Sequence, residues 1–412
     1  MRIAGRTHVV IALFSVYLLL AFASVEVVVA ATDPKQPSIA LTKRLASLLG
    51  PADAAAVSDP DGHIVAAVNT DRLLIPASIL KLLTGLAAMH YLGEDYRFPT
   101  DLYLNPQNSL VIKGYGDPLM ISERIEEMAL RLAKQIEGID HLFLDDTHFS
   151  HPIVIPGRHT TAQPYDAPNG ALCVNFNTVF FKKERGQWVS AEPQTPLLPF
   201  AISKIKGSGL KSGRITLAAD RSEILKYSGE LFAFFLKRAG ISIEGEVTTG
   251  VANSEKDRLL LHYEAPARLR EVVADLLEFS NNFIANQLML AMGATAYGPP
   301  ATVDKGLRAL RSYYADVLGI KTGRIEEASG ISRGNRISAE VMLQMLSKFE
   351  PYRRLMRREG RQWYKTGHLK GVRTRAGYID RSEGGHYRFV VMINTPGRGT
   401  DRIMRIIEET LK

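Results

Sequence analysis

A single cysteine, Cys173, stands among 412 residues, so no internal disulfide can form and the fold must rest on its apolar core. Histidines are scattered, and the nearest approach to ligand spacing, His148 with His151, has no third candidate beside it. That pattern argues against a metal or any other cofactor. No dense run of lysine and arginine interleaved with aromatics occurs, so nucleic acid is not an expected partner. The basic residues Arg353, Arg354, Arg357, Arg358 and Arg361 read as a solvated helix face. The formal net charge of +8 suits an anionic partner or plain solubility and says nothing about the fold.

Long apolar runs are also missing, with one exception. Arg2 and Arg6 precede an uninterrupted apolar stretch over residues 9–23, and the small residues Val28, Ala30 and Ala31 follow. This layout is that of a secretory signal peptide over residues 1–30, which would deliver the chain to the periplasm or cell envelope. An uncleaved anchor is the rival reading, but Ser24 and Glu26 stop the apolar stretch short of the ~20 residues that span a bilayer. Peripheral contact with wall or membrane stays open, whereas Cys173 lies too far from the junction to carry a lipid.

With 46% apolar residues, the remaining chain can bury one large core or two smaller ones. The pattern predicts a helix over residues 42–49 and two strands, 54–58 and 63–68, about the turn Asp59-Pro60-Asp61-Gly62. A helix beginning at Ser78 ends at Gly93. Residues 98–260 then read as a strand-rich insertion with one clear helix, 230–238. Helices return at 267–279, 283–292 and 338–349, strands at 361–365, 376–380 and 387–395, and an amphipathic helix closes the chain at 401–411. The expected fold is α/β: a discontinuous domain of residues 31–97 plus 261–412, a sheet covered by helices, around an inserted domain of 98–260.

Three short motifs carry the chemistry. Ser78-Ile79-Leu80-Lys81 sets a hydroxyl and an amine three residues apart, on one face of a helix, where the amine can take the proton that keeps serine a weak nucleophile. The same spacing recurs at Ser203 with Lys206 and at Ser208 with Lys211, but the later pair lies among glycines that break helices, and only Ser78 begins a helix that could be buried. Helix capping is the simpler role for Ser78. Ser280-Asn281-Asn282 is the sole Ser-x-Asn and falls in a tight link between two helices, where capping and function are compatible. Lys-Thr-Gly occurs twice, at Lys365-Thr366-Gly367 and Lys321-Thr322-Gly323. Only the first leads into further strands, where lysine and threonine can hold a carboxylate and glycine lets a substrate backbone approach.

In this order, the three motifs resemble the signature of penicillin-binding proteins and serine β-lactamases. The long insertion between Lys81 and Ser280, the fragment from Leu110 to Pro118 and the run Ala328-Ser329-Gly330-Ile331-Ser332-Arg333-Gly334-Asn335 are similar to the low-molecular-mass D-alanyl-D-alanine carboxypeptidase/endopeptidase family, peptidase family S13. The resemblance implies a β-lactamase/transpeptidase-like domain, an antiparallel sheet flanked by helices. It implies a hydrolase that acts on peptidoglycan stem peptides and binds β-lactams. Ser78 would be acylated, Lys81 would be its base, Ser280 a proton relay and Asn282 an orienter. Lys365, Thr366 and Gly367 would hold the substrate carboxylate and backbone, and the N–H groups of Ser78 and His368 would form the oxyanion hole. His368 stands where a small residue is expected, which questions the cleft width, and Asn281 is a milder departure. A serine β-lactamase and a non-catalytic peptidoglycan-binding scaffold remain as alternatives. Gly116-Asp117-Pro118 reads as a turn capped by Asp117, and Asp145 with Asp146 as solvated acids at a strand end.

Overall fold

The computed structural model describes residues 39–411, so the signal peptide expected over 1–30 lies outside the described residues. The chain lays down α1 (Ile39–Ala46), β1 (Asp53–Ser58), β2 (Ile64–Val68), a 3-10 turn (Ala77–Leu80) and α2 (Lys81–Leu92). The next segment holds β3 (Pro99–Leu104), β4 (Leu110–Gly114), α3 (Ser122–Leu132), β5 (Gly138–Ile139) and β6 (Leu142–Asp145). It continues with β7 (Thr178–Glu184), β8 (Gln187–Ser190), α4 (Pro199–Ser208), β9 (Ser212–Thr216) and α5 (Arg221–Arg238). Three strands end it: β10 (Ser242–Ile243), β11 (Val247–Thr249) and β12 (Arg258–Glu264). Helices α6 (Leu269–Glu278), α7 (Asn282–Tyr297), α8 (Val303–Ser312) and α9 (Ala339–Phe349) follow. Strands β13 (Arg357–Glu359), β14 (Gln362–Leu369), β15 (Val372–Asp380) and β16 (His386–Ile393) lead to the last helix, α10 (Asp401–Thr410).

The two chain ends build one sheet. Its six strands run β13-β14-β15-β16-β1-β2, every pair antiparallel, with Asp53 opposite Ile393 and Ser58 opposite Arg388 where the N-terminal hairpin joins the C-terminal strands. Because side chains alternate along a strand, Ala54, Ala56, Val390 and Met392 pack toward α2, α6, α7 and α9, while Ala55, Val57, Phe389 and Val391 pack toward α1 and α10. Burial on both faces explains the apolar runs Ala54–Val57 in β1 and Phe389–Ile393 in β16. Helix α2 is buried from Lys81 to Met89, so it is apolar all round and forms the centre of the larger core.

The inserted segment has its own five-stranded sheet, ordered β11-β6-β4-β3-β12, with α3 and α5 on one face. Its first and last strands are neighbours, Pro99 lying opposite Glu264. The boundary expected after residue 260 therefore falls inside β12. One stretch of the segment returns to the larger core: Phe149, Ile153, Ile155, Ala171 and Cys173 are buried among the residues of α2 and α7.

Several expectations need correction. The first helix begins three residues earlier than 42, since Leu41 and Leu45 are its buried row. The insertion contains three helices, not one. In α3 the charges at Glu123, Arg124, Glu126, Glu127 and Arg131 mask the buried row Ile125, Met128, Ala129 and Leu132. In α5, Ser228-Gly229 looks like a break, yet Gly229 is needed: a Cβ there would lie 2.7 Å from Val247 and 3.0 Å from Leu144. The arginine cluster is not a helix face but a 3-10 turn (Glu350–Leu355) followed by β13 and β14. Asp145 and Asp146 are buried and not solvated. Arg221 donates to both Asp146 oxygens at 2.8 and 2.6 Å, and His151 Nε2 lies 2.8 Å away. Burial raises the Asp146 pKa, but the hydrogen bonds from Arg221 and His151, with the charge of Arg221, outweigh it and bring it down to about 2. His148 and His151 thus serve separate neighbours. Asp117 does cap its turn, accepting from the Leu119 N–H at 2.8 Å, and burial lifts its pKa to about 7.

Candidate active site

Ser78 sits in the 3-10 turn that feeds α2 and is half-buried. Its neighbour Ala77 is held at φ 49°, a left-handed conformation that costs an L-residue roughly 1–2 kcal/mol. Such strain persists only where surroundings enforce it, and here they do: Thr374 on β15 donates to the Pro76 carbonyl at 2.7 Å, while Gly330 packs on the Ala77 carbonyl. The hydroxyl is not a helix cap. At the start of α2 no side chain caps the helix, and Ser78 Oγ instead meets Lys81 Nζ at 2.9 Å.

Lys81 is fully buried. Besides Ser78, its Nζ contacts Asn282 Oδ1 at 2.8 Å and the Ser329 carbonyl at 2.6 Å. Burial drives its pKa well below 10.5, and the cation of Lys365 adds to the effect, while the carboxylate of Glu327 opposes it. An uncharged amine has two N–H groups and one lone pair. Two of the three neighbours, a carbonyl and an amide oxygen, only accept, so the N–H groups go to them. The lone pair is left facing the Ser78 hydroxyl.

The Ser-x-Asn link divides its duties. Asn281 is the cap of α7, its side chain accepting from the Ile284 N–H at 3.2 Å. Capping therefore falls to the middle residue that departs from expectation, and Ser280 and Asn282 are free to face the cleft. Ser280 is held at φ 53°. Its Oγ accepts from Lys365 Nζ at 2.8 Å, and Lys365 also donates to the Thr366 carbonyl at 2.8 Å. Lys365 is buried, which pushes its pKa down to about 8 against the pull of Glu278.

Gly367 lies against the nucleophile: a Cβ there would stand 2.8 Å from the Ser78 nitrogen, 2.9 Å from Ala77 Cβ and 2.2 Å from Thr374 Oγ1. Thr366 and His368 are exposed on the cleft side of β14. Partial burial and then Arg373 lower the His368 pKa. The cleft keeps a cavity of about 890 Å³ bounded by Ser78, Ser280, Asn282, Thr366 and His368, so His368 does not close it. All eight residues singled out in the sequence converge here. The second triplet does not: Lys321, Thr322 and Gly323 are exposed and lie outside the cleft lining.

Five contributors escaped the sequence reading. Gly157, His159 and Tyr165 of the insertion line the cleft, and the Tyr165 carbonyl accepts from Asn282 Nδ2 at 3.4 Å. The Ser329 carbonyl accepts from Lys81 Nζ. Glu327, fully buried, organises the loop that bears it. A backbone carbonyl has no signature in a sequence, and Glu327 is one acidic residue among many; only the run 328–335 marked the neighbourhood.

Residues 46–357 match the sequence model of the D-Ala-D-Ala carboxypeptidase 3 (S13) family. The chain belongs to this family. The match ends before β14, so Lys365 to His368 are tied to the site by geometry and not by that match. Among curated proteins, the chain is 26% identical over 326 residues to a D-alanyl-D-alanine carboxypeptidase of Actinomadura sp. (strain R39), a match covering 67% of this chain and 60% of that protein's length. It is 24% identical over 401 residues to the D-alanyl-D-alanine carboxypeptidase DacB of Haemophilus influenzae, with 81% and 83% covered. Among solved structures, penicillin binding protein 4 of Haemophilus influenzae superposes with a TM-score of 0.74 at 20% identity, over 90% of this chain and 99% of that one. This S13 member therefore shares its relatives' fold over nearly the whole described length.

Proposed function

We propose that the chain is a serine-type D-Ala-D-Ala carboxypeptidase and/or D,D-endopeptidase that acts on peptidoglycan stem peptides through an acyl-enzyme at Ser78 and is acylated by β-lactams at the same hydroxyl. One observation carries this reading: a fully buried lysine, Lys81, within 2.9 Å of Ser78 Oγ and with its remaining contacts to acceptors only. Family membership supports it, as does the naming of the curated relatives as D-alanyl-D-alanine carboxypeptidases.

In the proposed reaction, uncharged Lys81 takes the Ser78 proton as Oγ attacks the carbonyl carbon of the penultimate D-Ala. The oxyanion accepts hydrogen bonds from the Ser78 and His368 N–H groups; losing one such donor costs on the order of 3 kcal/mol of barrier. The C–N bond breaks and the departing amine receives the proton back from Lys81 by way of Ser280. Water, deprotonated by the same amine, then releases the acyl group. Lys365 and Thr366 hold the substrate's terminal carboxylate, and Asn282 orients Lys81 and the substrate amide. A cross-linked peptide, in which a diamino acid follows D-Ala, undergoes the same steps as an endopeptidase substrate.

The reading extends to place and architecture. The chain acts outside the cytoplasm, in the periplasm or cell envelope, after cleavage of its leader. Residues up to 98 with 265–412 form the catalytic domain, and 99–264, closed by the pairing of β3 with β12, form an inserted domain whose cleft-lining loop bears on the wall substrate. Intact-mass analysis after penicillin treatment, with the modified peptide mapped, tests the core of it. One acyl adduct on Ser78 is expected, absent in Ser78→Ala. An adduct that survives that substitution refutes the assignment.

A further inference from the structure

We infer that Glu327 is a positioning residue for the base: its carboxylate turns the loop at residues 328–330 so that the Ser329 carbonyl is aimed at Lys81. The inference rests on the reading of Lys81 given above. Glu327 accepts three hydrogen bonds on each oxygen. Oε2 receives the Ser329 N–H and hydroxyl, both at 2.6 Å, and Asn286 Nδ2 at 3.4 Å. Oε1 receives the Gly330 N–H at 2.7 Å, the Ser332 N–H at 3.3 Å and Asn335 Nδ2 at 2.7 Å. Every one of these partners can donate, so six donors converge on the two carboxyl oxygens.

The consequence for the base follows from peptide geometry. In a planar trans peptide the carbonyl of one residue and the N–H of the next point in opposite directions. With the Ser329 and Gly330 N–H groups turned to Glu327, the Ala328 and Ser329 carbonyls must point the other way, toward α2. There they find Thr84 Oγ1, at 2.5 Å from the Ala328 carbonyl, and Lys81 Nζ, at 2.6 Å from the Ser329 carbonyl. Thr84 and Lys81 are neighbours on α2, so one buried carboxylate sets two successive carbonyls onto that helix. The next residue, Gly330, has φ +84°, and a Cβ there would sit 2.0 Å from the Ala77 carbonyl, so the same turn braces the strained residue before the nucleophile. Asn286 ties the loop to α7 one turn beyond Asn282, its Oδ1 accepting from the Ala328 N–H at 3.1 Å.

Electrostatics adds a second effect. The charged groups that bear on Lys81 are Lys365 from β14, which lowers its proton affinity, and Glu327 from the loop, which raises it. Around it stand Ser78 from the 3-10 turn, Asn282 from α7 and the Ser329 carbonyl, none of them charged. Glu327 thus moderates a shift that burial and Lys365 push far down, and keeps the amine basic enough to draw the proton.

The test is the rate of Ser78 acylation by a fluorescent penicillin, followed as a function of pH in the full chain. In Glu327→Gln the amide NH2 faces N–H donors, so the Ser329 carbonyl loses its aim; a misplacement of about 1 Å near reacting groups costs on the order of 100-fold. The acidic limb of the profile should move to lower pH, because an opposing negative charge is gone. A merely structural role would lower the amplitude and leave the limb in place, and that result overturns the inference, as does an unchanged rate. Should Glu327→Gln fail to fold, Glu327→Asp decides: its charge is retained but drawn back by one methylene, so a rate near wild type overturns the inference and a clear fall supports it. Absence of labelling in the wild-type chain would instead strike the proposed function itself.

Discussion

At the scale of single residues, burial disfavours charge on Lys81 and, less strongly, on Lys365. Lys81→Ala removes the proposed base and should leave acylation nearly undetectable by the same penicillin assay, since loss of a positioned base removes far more rate than loss of one oxyanion donor. Lys365→Ala should instead weaken capture of D-Ala-D-Ala peptides, seen as a raised KM with acylation by saturating penicillin less affected. Lys321→Ala, at an exposed position, should change stability by no more than about 0.5 kcal/mol and leave activity intact. Lys81 also couples stability to pH. Its folded pKa lies below 10.5, so between the two values the unfolded chain holds a proton that the folded chain lacks, and stability rises with pH through that window. The stability of the wild type relative to Lys81→Met should therefore climb as pH rises from the lowered folded pKa toward 10.5, by at most about 1.4 kcal/mol per unit, as urea unfolding at several pH values would show.

At the scale of elements, close backbone approach is what brings the motifs together. Gly367 lets β14 touch the Ser78 turn, and a methyl group there would collide with the Ser78 nitrogen. Gly367→Ala should reduce acylation on the order of 100-fold while the chain still folds, checked by labelling rate against circular dichroism. Gly293 plays a comparable part between α7 and α8: its Cβ would lie 2.5 Å from the Gly306 nitrogen, and a Cβ on Gly306 would lie 2.7 Å from the Met289 carbonyl. Gly293→Ala should cost about 1–3 kcal/mol through overpacking, measured by denaturant midpoint. Neither α8 nor the upper half of α5 was legible beforehand, and glycine is the reason. A glycine at a helix–helix or helix–strand contact has the same appearance in a sequence as a glycine that ends a helix. By contrast α9 with Ser338, α10 and the hairpin about residues 59–62 announced themselves, because caps, amphipathic rows and turn residues act within a few positions.

At the scale of the whole molecule, the insertion is woven into the core that carries the nucleophile. Pro99 and Glu264 are cross-strand partners, so residues 99–264 could be excised and bridged by a short turn. Excision would also strip Phe149, Ile153, Ile155, Ala171 and Cys173 from the packing around α2 and α7. The shortened chain should be markedly less stable or fail to accumulate as folded protein, and expression with thermal unfolding would report it. It would lose one wall of the cleft too, since Gly157, His159 and Tyr165 depart with it.

What the sequence determined by itself was local: a hydroxyl and an amine one helical turn apart, a capped link bearing Ser280 and Asn282, a Lys-Thr-Gly strand, and the order in which they occur. Covalent spacing and helix geometry suffice for these. Only the tertiary structure decided that the Lys365 triplet meets the Ser78 turn while Lys321 stays outside the cleft, that burial and Lys365 push Lys81 toward its uncharged form, and that Glu327 aims a carbonyl at it. Desolvation and charge proximity depend on groups hundreds of positions apart being pressed into one dry volume, and no local pattern encodes that meeting.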